Sequence, residues 1–241
     1  MKTRARIGVL ASGGGSNLQA VLDHFSGPAN SIGDIVWVGS DKESAGALSR
    51  ARARGVATVF IRAPRDGEAL TATLRAARVD TVVLAGYLKL VPPEVVQAFR
   101  GRVLNVHPAL LPAFGGPGMY GQRIHAAVLE HGATITGVTV HFVDEVFDRG
   151  PIIAQWPVPV LPGDTPSLLA ARVLRIEHVL LPLCVAAVAS GAIVLGADGR
   201  VHGHLDIPVG PDAPEWQFAL TPDDADVGAR LGVSIARLFP R

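Results

Sequence analysis

Cysteine is nearly missing from this chain. Its 241 residues hold one, Cys184, which excludes an intramolecular disulfide framework and a cysteine-rich zinc site. Lysine is almost as scarce: Lys2, Lys42 and Lys89 are the whole set, so arginine carries nearly all the positive charge. Net charge is +1 with no long basic run, which argues against nucleic-acid binding driven by bulk charge. The longest apolar stretch, 179–195, is broken by Pro182 and by Ser190-Gly191 and falls short of the ~20 residues of a membrane helix. No signal-peptide pattern precedes the first strand, so a soluble cytoplasmic setting with no membrane partner is expected. Hydrophobic residues at 49% and charged residues at 18% exclude a disordered chain and a coiled coil.

What is present alternates. Apolar runs at 7–11, 35–39, 56–61, 81–85 and 103–106 read as strands, and the segments 17–25, 45–54, 68–77 and 93–99 between them read as helices. This β-α-β-α order predicts a parallel sheet with right-handed crossovers. The second half differs. After a Gly/Pro-rich loop at 107–121 and a helix at 122–130, the runs 137–143 and 152–160 read as strands with a short polar connection, hence an antiparallel pair. A long apolar helix follows at 166–189, bent at Pro182, with short strands around Ile193 and Val201. The expectation is an α/β fold: a single domain over 1–204 with a mostly parallel, Rossmann-like twisted sheet flanked by helices, an antiparallel pair in its second half, and a C-terminal extension at 205–241.

Ser12-Gly13-Gly14-Gly15-Ser16-Asn17 lies between the first strand and the first helix. Glycine lets the backbone approach a ligand closely, and the helix N-terminus offers free N–H groups to an anion. The plain alternative is a tight turn with Ser16 or Asn17 as N-cap. A P-loop needs Gly-Lys-Ser/Thr, and no lysine is here; a dinucleotide fingerprint needs glycine where Leu18 stands. A monophosphate suits this loop better than ATP or NAD. Asp41, after the second strand, suits a ribose contact or a helix cap equally.

Asn105 and His107 lie two apart at the end of a strand, so both side chains can point the same way into the crevice beyond the carboxyl ends of parallel strands. An amide donor beside a titratable imidazole suits a developing oxyanion; the alternative is a polar strand end satisfying loop carbonyls. Three carboxylates follow at 143–151. Asp144 and Glu145 read as solvated. Asp148, just before Arg149-Gly150-Pro151, is placed so that contact with His107 would fix its tautomer and favour its protonated form.

With these motifs in hand, the chain resembles the phosphoribosylglycinamide formyltransferases of purine synthesis over roughly residues 6–190. The resemblance rests on Ser12-Gly13-Gly14-Gly15-Ser16-Asn17-Leu18-Gln19-Ala20, Leu84-Ala85-Gly86-Tyr87-Leu88-Lys89-Leu90, Asn105-Val106-His107-Pro108-Ala109-Leu110-Leu111-Pro112, and Gly137-Val138-Thr139-Val140-His141-Phe142-Val143 through Asp148-Arg149-Gly150-Pro151-Ile152-Ile153. It implies transfer of the formyl group of 10-formyltetrahydrofolate, a co-substrate, to the amine of glycinamide ribonucleotide. No metal and no covalent enzyme intermediate are implied. Asn105 would donate to the oxyanion, a protonated His107 would stabilise it, and Asp148 would hold the imidazolium and help move the amine proton. By the same match Gly15, Ser16 and Asn17 bind phosphate, Leu88, Lys89, Leu90, Val91 and Asn105 bind folate, Glu177 contacts substrate and Thr139 orders a water.

Alternatives stand beside these roles. Leu88 and Leu90 also fit core packing, Lys89 a solvated loop charge, Glu177 a helix-surface charge, and His141 a hydrogen-bonded strand histidine. His125, His131 and His178 read as helix or helix-end residues, and Cys184 as a packed small hydrophobe. The loop at 114–121 departs from the family pattern, and Arg62 and Arg65 are the arginines nearest to a family position between the third strand and the next helix. Partners are small-molecule substrates, with the chain a monomer or homodimer. The rivals are a formyltetrahydrofolate hydrolase, a formyltransferase with another acceptor, and, from a different class, a non-catalytic NAD-type nucleotide-binding module.

Overall fold

In the computed structural model, which describes residues 4–205, the first-half alternation forms β1 (Ala5–Leu10), α1 (Ser16–Ser26), β2 (Gly33–Ser40), α2 (Gly46–Ala53), β3 (Ala57–Phe60), α3 (Gly67–Ala76), β4 (Thr81–Leu84), α4 (Pro93–Ala98) and β5 (Val103–His107). These five strands run parallel. Helices cover both faces, so the strands are apolar almost throughout: all four residues of β4 are buried. Alternate side chains feed two cores. Val83 joins the larger one, with α1, α2 and later helices, while Val82 and Leu84 join the smaller one, with α3 and α4.

Local chemistry fixes the helix starts. Asp66 caps α3 by accepting from the Ala69 N–H at 2.9 Å. Pro93 opens α4 at a position with no intrahelical N–H to lose. The second half adds α5 (Gln122–Glu130), β6 (Ile135–Phe142), β7 (Ile152–Pro159), α6 (Pro166–Ser190), β8 (Ile193–Leu195) and β9 (Val201–Gly203). β6 lies antiparallel to β5, and β7 antiparallel to β6, so the expected antiparallel pair extends the parallel sheet. β8 and β9 form their own two-stranded sheet.

Thr165 caps α6, Pro166 starts it, and Gly191 ends it in the left-handed region at φ 81°. The helix continues through Pro182 for 25 residues. This corrects the length expectation above: α6 is long and apolar enough to cross a membrane by length and composition alone. More than half of its apolar stretch is buried in the protein, against α1, α5, β6 and β7, which accounts for its composition. The expected extension at 205–241 lies, but for Leu205, outside the described residues.

Strand order is β3-β2-β1-β4-β5-β6-β7. The chain winds outward from β1 through β2 to β3, then returns to the other side of β1 with β4. The crevice at that reversal, beyond the carboxyl ends of β1 and β4, is where ligands bind in open α/β sheets.

Candidate active site

The glycine loop is built by close packing. Gly15 sits at φ +77°, and a Cβ there would lie 2.7 Å from the Ala47 Cα at the start of α2, so only glycine fits. Gly15 is itself the N-cap of α1 and leaves the first turn without a side-chain cap, which frees backbone N–H groups for an anion. The Ser16 or Asn17 cap considered from sequence is therefore not formed. Ser12, buried just upstream, donates from Oγ to Asp41 Oδ1 at 2.6 Å and accepts from the Leu88 N–H at 3.0 Å. Asp41 thus does not cap the next helix. It pins Ser12, and through it the loop after β4.

Beside this loop opens a cleft of about 630 Å³ over the ends of β4 and β5. Asn17, Glu177, Asn105, His107 and Asp148 line it together, although 160 residues separate the first two in sequence. Asn17 Nδ2 donates to Glu177 Oε2 at 2.6 Å, and Asn17 Oδ1 is enclosed without a partner. Glu177 is only 8% exposed, and burial raises its pKa against the pull of the Asn17 hydrogen bond. The surface-charge alternative for Glu177 is corrected accordingly: α6 turns this residue inward toward α1.

Asn105 stands opposite His141 across the β5–β6 ladder. The His141 Nδ1 lies 2.8 Å from the Phe142 carbonyl, which accepts and so places the ring proton there. His141 Nε2 then accepts from Asn105 Nδ2 at 3.1 Å. This orients the amide and leaves its second N–H for a ligand.

His107, 3% exposed, has Nε2 2.8 Å from the Phe114 carbonyl and Nδ1 3.5 Å from Asp148 Oδ2. The carbonyl keeps a proton on Nε2, so Nδ1 is the atom that titrates. Burial lowers the His107 pKa and outweighs the Asp148 carboxylate and the Phe114 carbonyl, which raise it. Burial thus opposes the protonated form that the Asp148 carboxylate, 3.5 Å away, favours. Asp148 is held below the usual carboxylate range. Burial would raise it, but the Gly116 N–H, 2.9 Å from Oδ2, and the positive charge of the neighbouring imidazoles when they are protonated win. The chain reaches this position by doubling back on β6. Gly150 packs so close that a Cβ would collide with the Phe142 carbonyl, and Asp148 takes φ +56°, which Asp tolerates better than most residues.

The remaining expected residues divide. Leu88 and Leu90 line the cleft at 43% and 42% exposure, beside the exposed Lys89, so core packing is not their role. Val91 does not line it: 2% exposed, it packs in the smaller core with Val95 and Val96 of α4. Gly15 and Ser16 form the helix start next to the cleft but do not line it. Thr139 is corrected. Fully buried, its hydroxyl donates to the Ala109 carbonyl at 2.7 Å and accepts from the Leu111 N–H and Gln155 Nε2, both at 3.0 Å. That leaves no capacity to order a water; it anchors the turn after β5. Arg62 and Arg65 are exposed and away from the cleft. The unusual loop lies over His107 and Asp148, with Phe114 and Gly116 as its backbone contacts.

Sequence reasoning missed His125, Val143, Val146 and Leu174 as lining residues. For His125 a signal was available, since it shares a helix face with the apolar Val128 and Leu129. Among the described residues, no group of three or more His, Cys, Asp or Glu is placed to hold a metal ion.

Comparison with known proteins shows what the chain is similar to. A family model described as formyl transferase matches residues 5–185. The chain is 46% identical over 204 residues to the chloroplastic phosphoribosylglycinamide formyltransferase of Arabidopsis thaliana, covering 81% of this chain and 69% of that one. It is 44% identical over 200 residues to the phosphoribosylglycinamide formyltransferase of Mycobacterium tuberculosis, covering 80% and 89%. The crystal structure of glycinamide ribonucleotide transformylase 1 from Symbiobacterium toebii superposes with a TM-score of 0.77 at 42% identity, covering 86% of this chain and 96% of that one.

Proposed function

The chain belongs to the formyl transferase family, and from that premise we propose that it moves the formyl group of 10-formyltetrahydrofolate to the amine of glycinamide ribonucleotide, a step of purine biosynthesis, by direct attack in the cleft described above. The observation that carries this reading is the juxtaposition of Asn105, His107 and Asp148 on one wall of the cleft that Asn17 and Glu177 also line.

The donor carries its formyl group between a pterin and a benzamide ring, whose faces are apolar. Leu88 and Leu90, half-exposed at the cleft, together with Val143 and Val146, offer it apolar contact. The acceptor is anionic at one end and carries an amine at the other. The uncapped start of α1 suits its phosphate, and the Glu177 carboxylate suits polar groups nearer the amine. Holding both reactants in one cleft removes the entropy cost of their encounter.

The amine attacks the formyl carbon and negative charge grows on the formyl oxygen. Asn105 donates its free N–H to that oxygen, already oriented by His141. His107 enters neutral and takes a proton at Nδ1 as the amine becomes acidic on bond formation. Asp148, 3.5 Å away, stabilises the imidazolium so formed. The same proton is returned to the departing folate nitrogen. Asn105 cannot titrate, so the proton path belongs to His107 and Asp148.

The test is transfer from 10-formyltetrahydrofolate by purified protein, followed as folate product with and without glycinamide ribonucleotide. Turnover that depends on the acceptor supports the reading. Equal turnover without it identifies a hydrolase, and nicotinamide binding with no folate turnover identifies a nucleotide-binding module.

A further inference from the structure

One histidine in the cleft has no part in the chemistry above. His125, on α5, is 4% exposed, lines the cleft, and keeps its Nδ1 enclosed without a hydrogen-bond partner. A buried N–H left without an acceptor is rarer and more costly than a buried lone pair, so Nδ1 is bare and the proton sits on Nε2. With Nδ1 walled off, the ring edge bordering the cleft is the one that carries Nε2. Burial and the nearby His107 push the pKa down to about 4, so the ring is neutral at physiological pH and offers a donor without charge.

Its place in the fold indicates which ligand it meets. Both α5 and α1 pack on α6, so His125 shares a layer with Asn17 and Glu177. Leu88, Leu90 and Val146 come instead from the loops after β4 and β6. We propose that His125 is a substrate-contacting residue whose Nε2–H donates to an uncharged oxygen, a hydroxyl or an amide carbonyl, of the acceptor ribonucleotide. This rests on the acceptor reading given above. It assigns His125 to acceptor affinity and orientation, apart from proton transfer.

Nitrogen-15 spectra of the histidine side chains test it in the unaltered protein. Titration with glycinamide ribonucleotide is expected to shift the His125 Nε2 resonance, and titration with a folate analogue is expected to leave it in place. In steady-state kinetics, His125→Phe raises the acceptor KM about fivefold to tenfold, the loss of one hydrogen bond between uncharged groups, with the donor KM unchanged. Gln places its amide nitrogen near Nε2, whereas Asn places it near Nδ1. His125→Gln therefore restores the acceptor KM and His125→Asn does not. A ribonucleotide that binds without moving the His125 resonance, or Gln and Asn variants that behave alike, overturns this assignment and leaves formyl transfer standing. A ribonucleotide that does not bind the unaltered protein overturns both.

Discussion

Asn105 Nδ2 lies 3.1 Å from His141 Nε2, and the pair is held opposite by strand register. The amide nitrogen, not the oxygen, therefore faces His141, and one N–H remains for the reaction. Asn105→Ala removes that donor and is expected to lower kcat by about 10²–10³, the cost of one oxyanion donor. Asn105→Asp is expected to be at least as damaging, because a carboxylate repels the growing charge. Single-turnover rates of both variants check this, and an Asp variant with near-normal kcat would remove Asn105 from the oxyanion role.

Asp148 stabilises a proton on His107 only when that proton arrives. Asp148→Asn is expected to lower kcat by about 10²–10⁴ with little change in either KM. Both groups have lowered pKa values, and the apparent values belong to the pair. In the unaltered enzyme kcat/KM should rise with pH through an inflection below the ordinary histidine value and then level. A pH–rate profile flat down to pH 4 would contradict a neutral His107 as proton acceptor.

Glu177 is a buried carboxylate whose pKa is raised by that burial. Its charged form costs stability above the folded pKa, so at pH 7 the neutral isostere Glu177→Gln should melt a few degrees higher, at about 2–4 °C per kcal/mol for a chain this size. The amide oxygen can still accept from Asn17. Replacing the carboxyl group by an amide should nevertheless raise the acceptor KM about tenfold or more. Calorimetry and kinetics on one preparation separate the two effects.

His125 gives the fold a dependence on acid. Its pKa is about 4 in the folded protein against 6.5 for the free side chain. The unfolded chain therefore binds a proton first, and stability is lost as pH falls from 6.5 toward 4. The loss from this residue is about 3 kcal/mol at one unit of pKa per 1.36 kcal/mol. Urea midpoints measured across this range should fall more gently for His125→Gln than for the unaltered protein.

Much of this was legible in the chain itself. Pro93, Pro166 and Gly191 marked helix ends because proline and glycine act through local backbone limits. Asn105 and His107 were legible as a pair because a strand repeats every two residues. Contacts across the layers were not: nothing local in α6 says that Glu177 meets Asn17, since that pairing depends on how α6 packs on α1. Thr139 and Val91 misled for a related reason. A hydroxyl or an isopropyl group near a site reads the same in sequence whether it faces the ligand or the core. The resting charge of His107 was likewise out of reach, because it is a contest between burial and a carboxylate whose distance only the fold determines.

The antiparallel join of β5 to β6 has a consequence for how such a site can change. Asn105 meets His141 through ladder register, so their contact is indifferent to how many residues connect the two strands. Phe114 and Gly116 sit in that connection and touch His107 and Asp148 by backbone atoms alone. Lengthening or shortening the connection thus leaves the oxyanion donor in place while changing which peptide groups meet the imidazole and its carboxylate. The oxyanion donor is tied to the sheet, and the peptide groups around the imidazole to the length of a loop.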